Sequence, residues 1–297
     1  MTVATSLVEE LLYSAPERDT CIVDQGRQLS YGDLDRESSR LANKLGSEGI
    51  KSGDRVSIYL PNSWHFVVAF FGVLRTGAIP VLVDFRSTER ELEFFFKDSQ
   101  SSLLISDVSK ENLAPSARKI LFDSKSDAVF PVANRPSDQS SIVSRNSDDV
   151  MCLVYTGGTT GRSKGAMLSF ANFRAVLSGL KIAWRLEDKK EVFAQILPMT
   201  HSGGLNCGLN SALFNGGVTV ILRKFDPEIL LKTIPDYKIT AFSGVPTVFN
   251  ALVNSPLLDQ VDLSSLRICF CSGAPVPEKI VKAFKEKTGI AINVGWG

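Results

Sequence analysis

The sequence predicts an α/β protein with mainly parallel sheets, and three observations carry that prediction. Short apolar runs of strand length alternate with amphipathic helical stretches along most of the chain. Clusters of Gly, Pro, Asn and Ser punctuate the alternation where turns are needed. The 297 residues exceed the usual size of one compact domain, so two units are expected.

Each element has a local reason. Ser30 and Asp33 have the spacing of a capping box, Ser accepting from the first-turn amides and Asp returning the bond. Leu34, Leu41, Ala42 and Leu45 then recur at helical spacing until Gly49. Arg55 to Leu60 reads as a strand. Pro61, Asn62 and Ser63 break it and cap a second helix running through Leu74, which Gly77 stops. Ile79 to Val83 is a strand, Glu89 to Asp98 a helix and Leu103 to Ile105 a buried strand. Residues 123–149 are rich in Ser, Asp, Asn and Pro and read as a surface connection, with Ala128 to Val132 its apolar island. The rhythm then returns. Met151 to Tyr155, Val218 to Leu222, Ile239 to Phe242 and Leu266 to Phe270 are strands. Phe173, Val176, Leu177, Leu180 and Trp184 mark one helical face; Pro227 to Ile234, Val248 to Val253 and Glu278 to Lys287 are further helices. Continuous apolar strands between helices argue for sheets covered on both faces.

Composition narrows the function classes. Basic residues number 33 and acidic residues 32, so the basic excess of a nucleic-acid reader is missing and a small-molecule partner is expected. Five scattered cysteines without a C-x-x-C pair, and only two histidines, lack zinc-site spacing. They read as reduced, buried thiols of a cytoplasmic protein. The N-terminus lacks the basic and apolar regions of a signal peptide. The longest apolar stretch, Phe66 to Leu74, is too short to cross a bilayer.

The most informative segment runs from Thr156 to Gly165. It packs four glycines, three threonines, one serine and one lysine into ten residues, after an apolar strand and ahead of an amphipathic helix. Gly157, Gly158 and Gly161 let backbone N–H groups turn toward one point. The hydroxyls of Thr156, Thr159, Thr160 and Ser163 can donate to phosphate oxygens, and Lys164 brings a mobile positive charge. Neither a Walker A loop nor a dinucleotide-binding G-x-G-x-x-G fits the spacing.

This loop, Tyr155 to Gly165, resembles the signature of the acyl-adenylate-forming superfamily: acyl-CoA synthetases, aryl-CoA ligases, peptide-synthetase adenylation domains and beetle luciferases. That signature reads Tyr-Thr-Ser-Gly-Thr-Thr-Gly-x-Pro-Lys-Gly, and the chain departs from it at Gly157 and Ser163. Five more stretches resemble the same superfamily in the same order. Leu29 to Leu34 and Leu74 to Val83 are similar to its first two motifs. Leu197-Pro-Met-Thr-His201-Ser-Gly-Gly-Leu205 is similar to the Pro-x-x-His-x-x-Gly segment of its CoA ligases. Cys271-Ser-Gly273-Ala274-Pro275 resembles the turn along the adenine, and Gly295-Trp296-Gly297 the opening of Gly-Tyr-Gly-x-Thr-Glu.

The resemblance implies a reaction: ATP activates a carboxylic acid to an acyl-adenylate, and CoA takes the acyl group, with a fatty acid the first expectation and an aryl acid the second. Thr156 to Gly161, Ser163 and Lys164 would grip the phosphates. Gly273, Ala274, Pro275, Gly295, Trp296 and Gly297 would hold the adenine. His201, Gly203 and Gly204 would border the acyl pocket, His201 and Lys164 being the catalytic candidates, and Arg223 and Lys224 would meet CoA. The Mg²⁺ ligand, the ribose clamp and the adenylation lysine are expected beyond residue 297, so the isolated chain should be a poor catalyst. A silent nucleotide-binding module is the alternative, as is a peptide-synthetase adenylation domain, against which His201 speaks. The implied fold is two stacked α/β subdomains of the acyl-CoA synthetase N-terminal domain type, without its β-barrel subdomain and C-terminal domain. Residues 54–180 would form one subdomain and residues 7–50 plus 190–297 the other. Self-association through an exposed edge is expected.

Overall fold

A computed structural model of the protein describes residues 6–125, 140–156, 163–186 and 190–295. The chain opens with α1 (Leu7–Leu12), capped reciprocally by Ser6 and Glu9. β1 (Thr20–Asp24) and β2 (Arg27–Ser30) follow, joined by Gln25 and Gly26 at φ 51° and 85°. The capping box expected at Ser30 forms: Asp33 N–H donates to Ser30 Oγ at 3.0 Å, and Ser30 N–H donates to the Asp33 carboxylate at 2.9 Å. From it runs α2 (Tyr31–Ser47), then β3 (Arg55–Tyr59). Ser63 caps α3 (Trp64–Arg75), all of whose residues are buried. Next come β4 (Ile79–Leu82), α4 (Glu89–Asp98), β5 (Leu103–Asp107), β6 (Lys119–Phe122), β7 (Val150–Thr156), β8 (Lys164–Ser169) and α5 (Phe170–Ala183). β9 (Val192–Gln195) leads to a short α6 (Ser202–Gly204), a π-helical segment (Leu205–Asn210) and α7 (Ser211–Phe214). The remainder alternates: β10 (Val218–Ile221), α8 (Pro227–Tyr237), β11 (Ala241–Gly244), α9 (Pro246–Val253), β12 (Ile268–Cys271), α10 (Glu278–Thr288) and β13 (Ile292–Val294).

The chain divides into two units, residues 1–19 with 29–175, and residues 20–28 with 176–297. The first is built on six strands in the order β6-β5-β3-β4-β7-β8, parallel except for the β7–β8 pair. In it α2 crosses α3 closely, because Gly72 leaves room: a Cβ there would stand 2.6 Å from Leu41 Cδ2. Arg75 is buried beside that crossing, donating to Ser38 Oγ at 2.9 Å and to the Ser140 carbonyl at 3.0 Å and paired with Asp35.

The second unit is built on seven strands in the order β13-β12-β11-β9-β10-β1-β2. Each neighbouring pair from β1 to β13 in that order is parallel. Its larger core joins Val220, Leu230, Leu231, Ile234, Phe242, Phe249 and Phe284 from strands and from α8, α9 and α10. A smaller one gathers Trp184, Phe193, Cys207 and Ile268. No helix among the described residues is long and apolar enough to cross a membrane.

The structure groups residues 7–50 otherwise than expected. α1 and α2 belong to the first unit, and only Thr20 to Gln28 goes to the second. Two pairings are responsible. The apolar stripe of α2 is spent on α3, whereas the backbone of β1 is hydrogen-bonded to β10, Ile22 facing Thr219.

Candidate active site

The glycine-rich segment begins on β7 and returns on β8, and the two strands are antiparallel with Thr156 opposite Lys164 and Tyr155 opposite Gly165. This corrects one expectation. The segment bridges two strands of a hairpin and does not enter a helix; α5 starts only at Phe170. The N-terminus of α5 therefore does not follow the segment directly. Gly157, Gly158, Thr159, Thr160 and Gly161 lie outside the described residues, as do Trp296, Gly297 and the apolar island at Ala128 to Val132.

The base of the hairpin is well anchored. Tyr155 donates to Asp98 Oδ2 at 2.8 Å, and its ring lies 4.3 Å from that of Phe95, both on α4. Burial, then the Asp98 carboxylate, hold the Tyr155 phenol far above its ordinary range, so it stays a donor. Gly165 fits beneath the ring, where a Cβ would meet Tyr155 Cζ at 3.3 Å. Thr156 and Lys164 project at the end of this clamp, both exposed, and Ser163 is half-buried. Among the described residues no carboxylate pairs with the Lys164 ammonium.

In the second unit the candidate residues gather at one end of the sheet. Pro198 to His201 follows β9, Arg223 and Lys224 follow β10, Gly244 ends β11, Gly273 follows β12 and Gly295 follows β13. These are the carboxyl ends of parallel strands, where open α/β sheets bind ligands. Ser272 N–H donates to the Gly244 carbonyl at 3.1 Å, and Gly295 N–H to the Cys271 carbonyl at 2.8 Å, which ties three of these ends together. Gly273 sits at φ 85°, a conformation that favours glycine, and Ala274 and Pro275 are exposed beside it. The turn runs on to Pro277, the cap residue of α10, which begins at Glu278.

His201 is exposed at the start of α6, its N–H bonded to the Pro198 carbonyl at 3.1 Å. Gly204 is buried and packed onto the Pro198 carbonyl group, where any Cβ would lie 2.8 Å from the carbonyl carbon. Gly203 is half-buried and has room. Gly204 shares a narrow crevice with Gln195, Cys207, Gly208 and Ser243. Burial pushes the Cys207 thiol up to about 11.

Arg223 has a structural employment. It holds Asp24 in a two-pronged pair, Nε at 3.0 Å and Nη2 at 2.9 Å, with the Asp24 carboxylate fully buried. Its fork is thereby turned to β1, which leaves Lys224 as the more available cation. Sequence reasoning missed this pair, because its members are 199 residues apart. It also missed β8, the π-helical segment and Gln195. No group of three or more His, Cys, Asp or Glu side chains among the described residues could hold a metal ion, so none is assigned to Mg²⁺.

Comparison with known proteins identifies the family. The family model described as "AMP-binding enzyme" matches residues 9–297. A feruloyl-CoA synthase of Amycolatopsis sp is 32% identical over 280 residues, covering 94% of this chain and 56% of that protein. A long-chain-fatty-acid–CoA ligase of Bacillus subtilis (strain 168) is 31% identical, with the same coverage of each, 94% and 56%. Among solved structures, ATP-bound MatB from Rhodopseudomonas palustris superimposes with a TM-score of 0.87 at 28% identity, covering 98% of this chain and 59% of that one. The chain thus spans a little over half the length of the relatives it matches.

Proposed function

The chain belongs to the AMP-binding enzyme family, and on that premise we propose that it forms the nucleotide- and acid-binding part of an acyl-CoA synthetase. The observation that carries this reading is the gathering of His201, Lys224, Gly273 and Gly295 at the carboxyl ends of β9, β10, β12 and β13. A fatty acid is the first substrate class and an aryl acid the second. Relatives named for each class are similarly close, at 31% and 32% identity.

The reaction proceeds in two displacements. A carboxylate oxygen attacks the α-phosphorus of ATP, the bond to the bridging oxygen breaks, and pyrophosphate leaves. A CoA thiolate then attacks the acyl carbonyl, and AMP departs with the electron pair of the broken C–O bond. Negative charge redistributes over phosphate oxygens in the first step, so preorganised donors and a cation lower its barrier. Lys164 and Thr156, fixed by the Tyr155–Asp98 clamp, hold the phosphates. Mg²⁺, when bound, would neutralise part of the phosphate charge. His201 borders the acid beside Gly203 and Gly204, and Gly273 to Pro275 offers a flat edge for the adenine.

Calorimetric titration tests the reading. ATP and AMP should both bind a polypeptide of residues 1–297. Lys164→Ala should weaken ATP roughly tenfold, about 1.5 kcal/mol, and AMP far less. The same polypeptide should show negligible carboxylate-dependent ATP–pyrophosphate exchange. Absence of nucleotide binding overturns the reading of the loop.

A further inference from the structure

The last turn of α4 bears a residue that its own helix does not favour. Asp98 ends that helix, where the carbonyl dipoles make a negative charge unfavourable, and it is exposed. Its carboxylate serves another element. The Tyr155 hydroxyl donates to Asp98 Oδ2 at 2.8 Å, across 57 residues of sequence, and a longer bond of 3.4 Å reaches the Phe95 carbonyl. The Tyr155 ring centre lies 4.3 Å from that of Phe95 and 6.2 Å from that of Phe94. Phe94, Phe95 and Asp98 thus form a platform beneath the end of β7.

The hairpin needs such a support. β8 is the last strand of its sheet, and none of its residues is buried. Its pairing with β7 ends at Thr156 and Lys164, one step beyond the Tyr155–Gly165 pair that rests on the platform. Side chains alternate across a strand, so Tyr155 and Gly165 share the face turned to α4, and Thr156 and Lys164 leave from the other. Asp98 therefore steadies the hairpin without lying on the face that carries the Lys164 ammonium. Any tilt of the edge strand is carried outward along the lysine's four-carbon stem, so the cation is displaced more than the backbone that bears it.

We propose that Asp98 is a positioning residue: through the Tyr155 hydroxyl it fixes where Thr156 and Lys164 meet the β- and γ-phosphates. It touches no substrate itself. This rests on the reading of the hairpin as the phosphate grip of an ATP-using synthetase. The sign of its effect separates the role from that of a surface charge. A carboxylate near a polyphosphate repels it, so by charge alone Asp98→Ala should strengthen ATP binding. Positioning demands the opposite.

Calorimetric titration of the 297-residue protein with ATP and with AMP reads the difference. Asp98→Ala should weaken ATP roughly fivefold and AMP by less than about twofold. Tyr155→Phe, which keeps the ring and drops the hydroxyl, should weaken ATP to a similar extent, and the double variant should add little to either. Asp98→Asn keeps an acceptor for the phenol without the charge, and should bind ATP at least as tightly as the unmodified protein. The inference is overturned if Asp98→Ala binds ATP as tightly as the unmodified protein or more so, if ATP and AMP weaken equally, or if Asp98→Asn fails to rescue. Should Asp98→Ala not fold, Tyr155→Phe and Asp98→Asn decide by the same criteria. An unmodified protein that binds no ATP overturns the reading of the hairpin and this inference with it. ATP binding that Asp98→Ala leaves intact overturns this inference alone.

Discussion

Two adjacent glycines after His201 should respond to the same substitution in opposite ways. A Cβ on Gly204 would stand 2.8 Å from the Pro198 carbonyl carbon and 3.2 Å from that of Leu197, both backbone atoms. Its nearest neighbour would be the Pro198 carbonyl oxygen, closer still, and ordinary contact begins near 3.4 Å, so the chain between β9 and α6 must shift as a unit. It is held there by the His201 N–H bond to the Pro198 carbonyl, which the shift would loosen. Overpacking of this kind costs about 1–3 kcal/mol and a weakened hydrogen bond about 1 kcal/mol more. Gly204→Ala should therefore lose about 2–4 kcal/mol and lower the melting temperature by roughly 5–15 °C. A Cβ on Gly203 would meet only His201 Nδ1, at 3.9 Å, so Gly203→Ala should stay within about 0.5 kcal/mol of the unmodified protein. Urea unfolding followed by tryptophan fluorescence compares the two. Equal stability of the variants would refute the claim that backbone crowding, and not a general intolerance of this segment, requires Gly204.

Three further perturbations follow from the same kind of reasoning. Arg75→Met strands Asp35 beside the α2–α3 crossing and should cost about 3–5 kcal/mol in thermal unfolding; adding Asp35→Leu should recover a measurable part. All five cysteines are buried and none is in a disulfide, and burial raises Cys207 and Cys271 to about 11. A disulfide reagent at pH 8 should thus label the native protein slowly and take five equivalents once guanidinium unfolds it. Burial pushes the Asp107 carboxyl up, but hydrogen bonds from Ser109 and Ser124 outweigh it and hold the group below its ordinary range. Its stabilisation is complete above the unfolded value, about pH 4, and lost as pH falls through the lower folded value. Asp107→Asn should therefore melt below the unmodified protein at pH 7, with a gap that narrows toward pH 3.

Much of this was legible in the chain wherever the information is local. Capping at Ser30 and Ser63 depends on residues within three positions of each other, and both helices begin where those signals place them. The bounds of α4, Glu89 to Asp98, follow from the same short-range chemistry. β1, β2, β6, β8 and β13 were not legible, because short strands with mixed faces carry little periodicity. Lys164 to Ser169 is such a case: with none of its residues buried, it is a strand because β7 supplies its partners.

By itself the sequence determined the α/β class, most of the helices, and a phosphate-gripping segment whose resemblance pointed to the family. These rest on spacing, capping and residue type, which act over a few residues. Only the tertiary structure decided that this segment closes a hairpin, with Lys164 facing Thr156, instead of opening a helix. Only it joined Arg223 to Asp24, moved α2 to the first unit, and set Gln195 against Gly208 with an oxygen left unpaired. The reason is common to all four. Strand pairing and side-chain packing bring together residues far apart in the chain, and no local pattern records which partner will arrive.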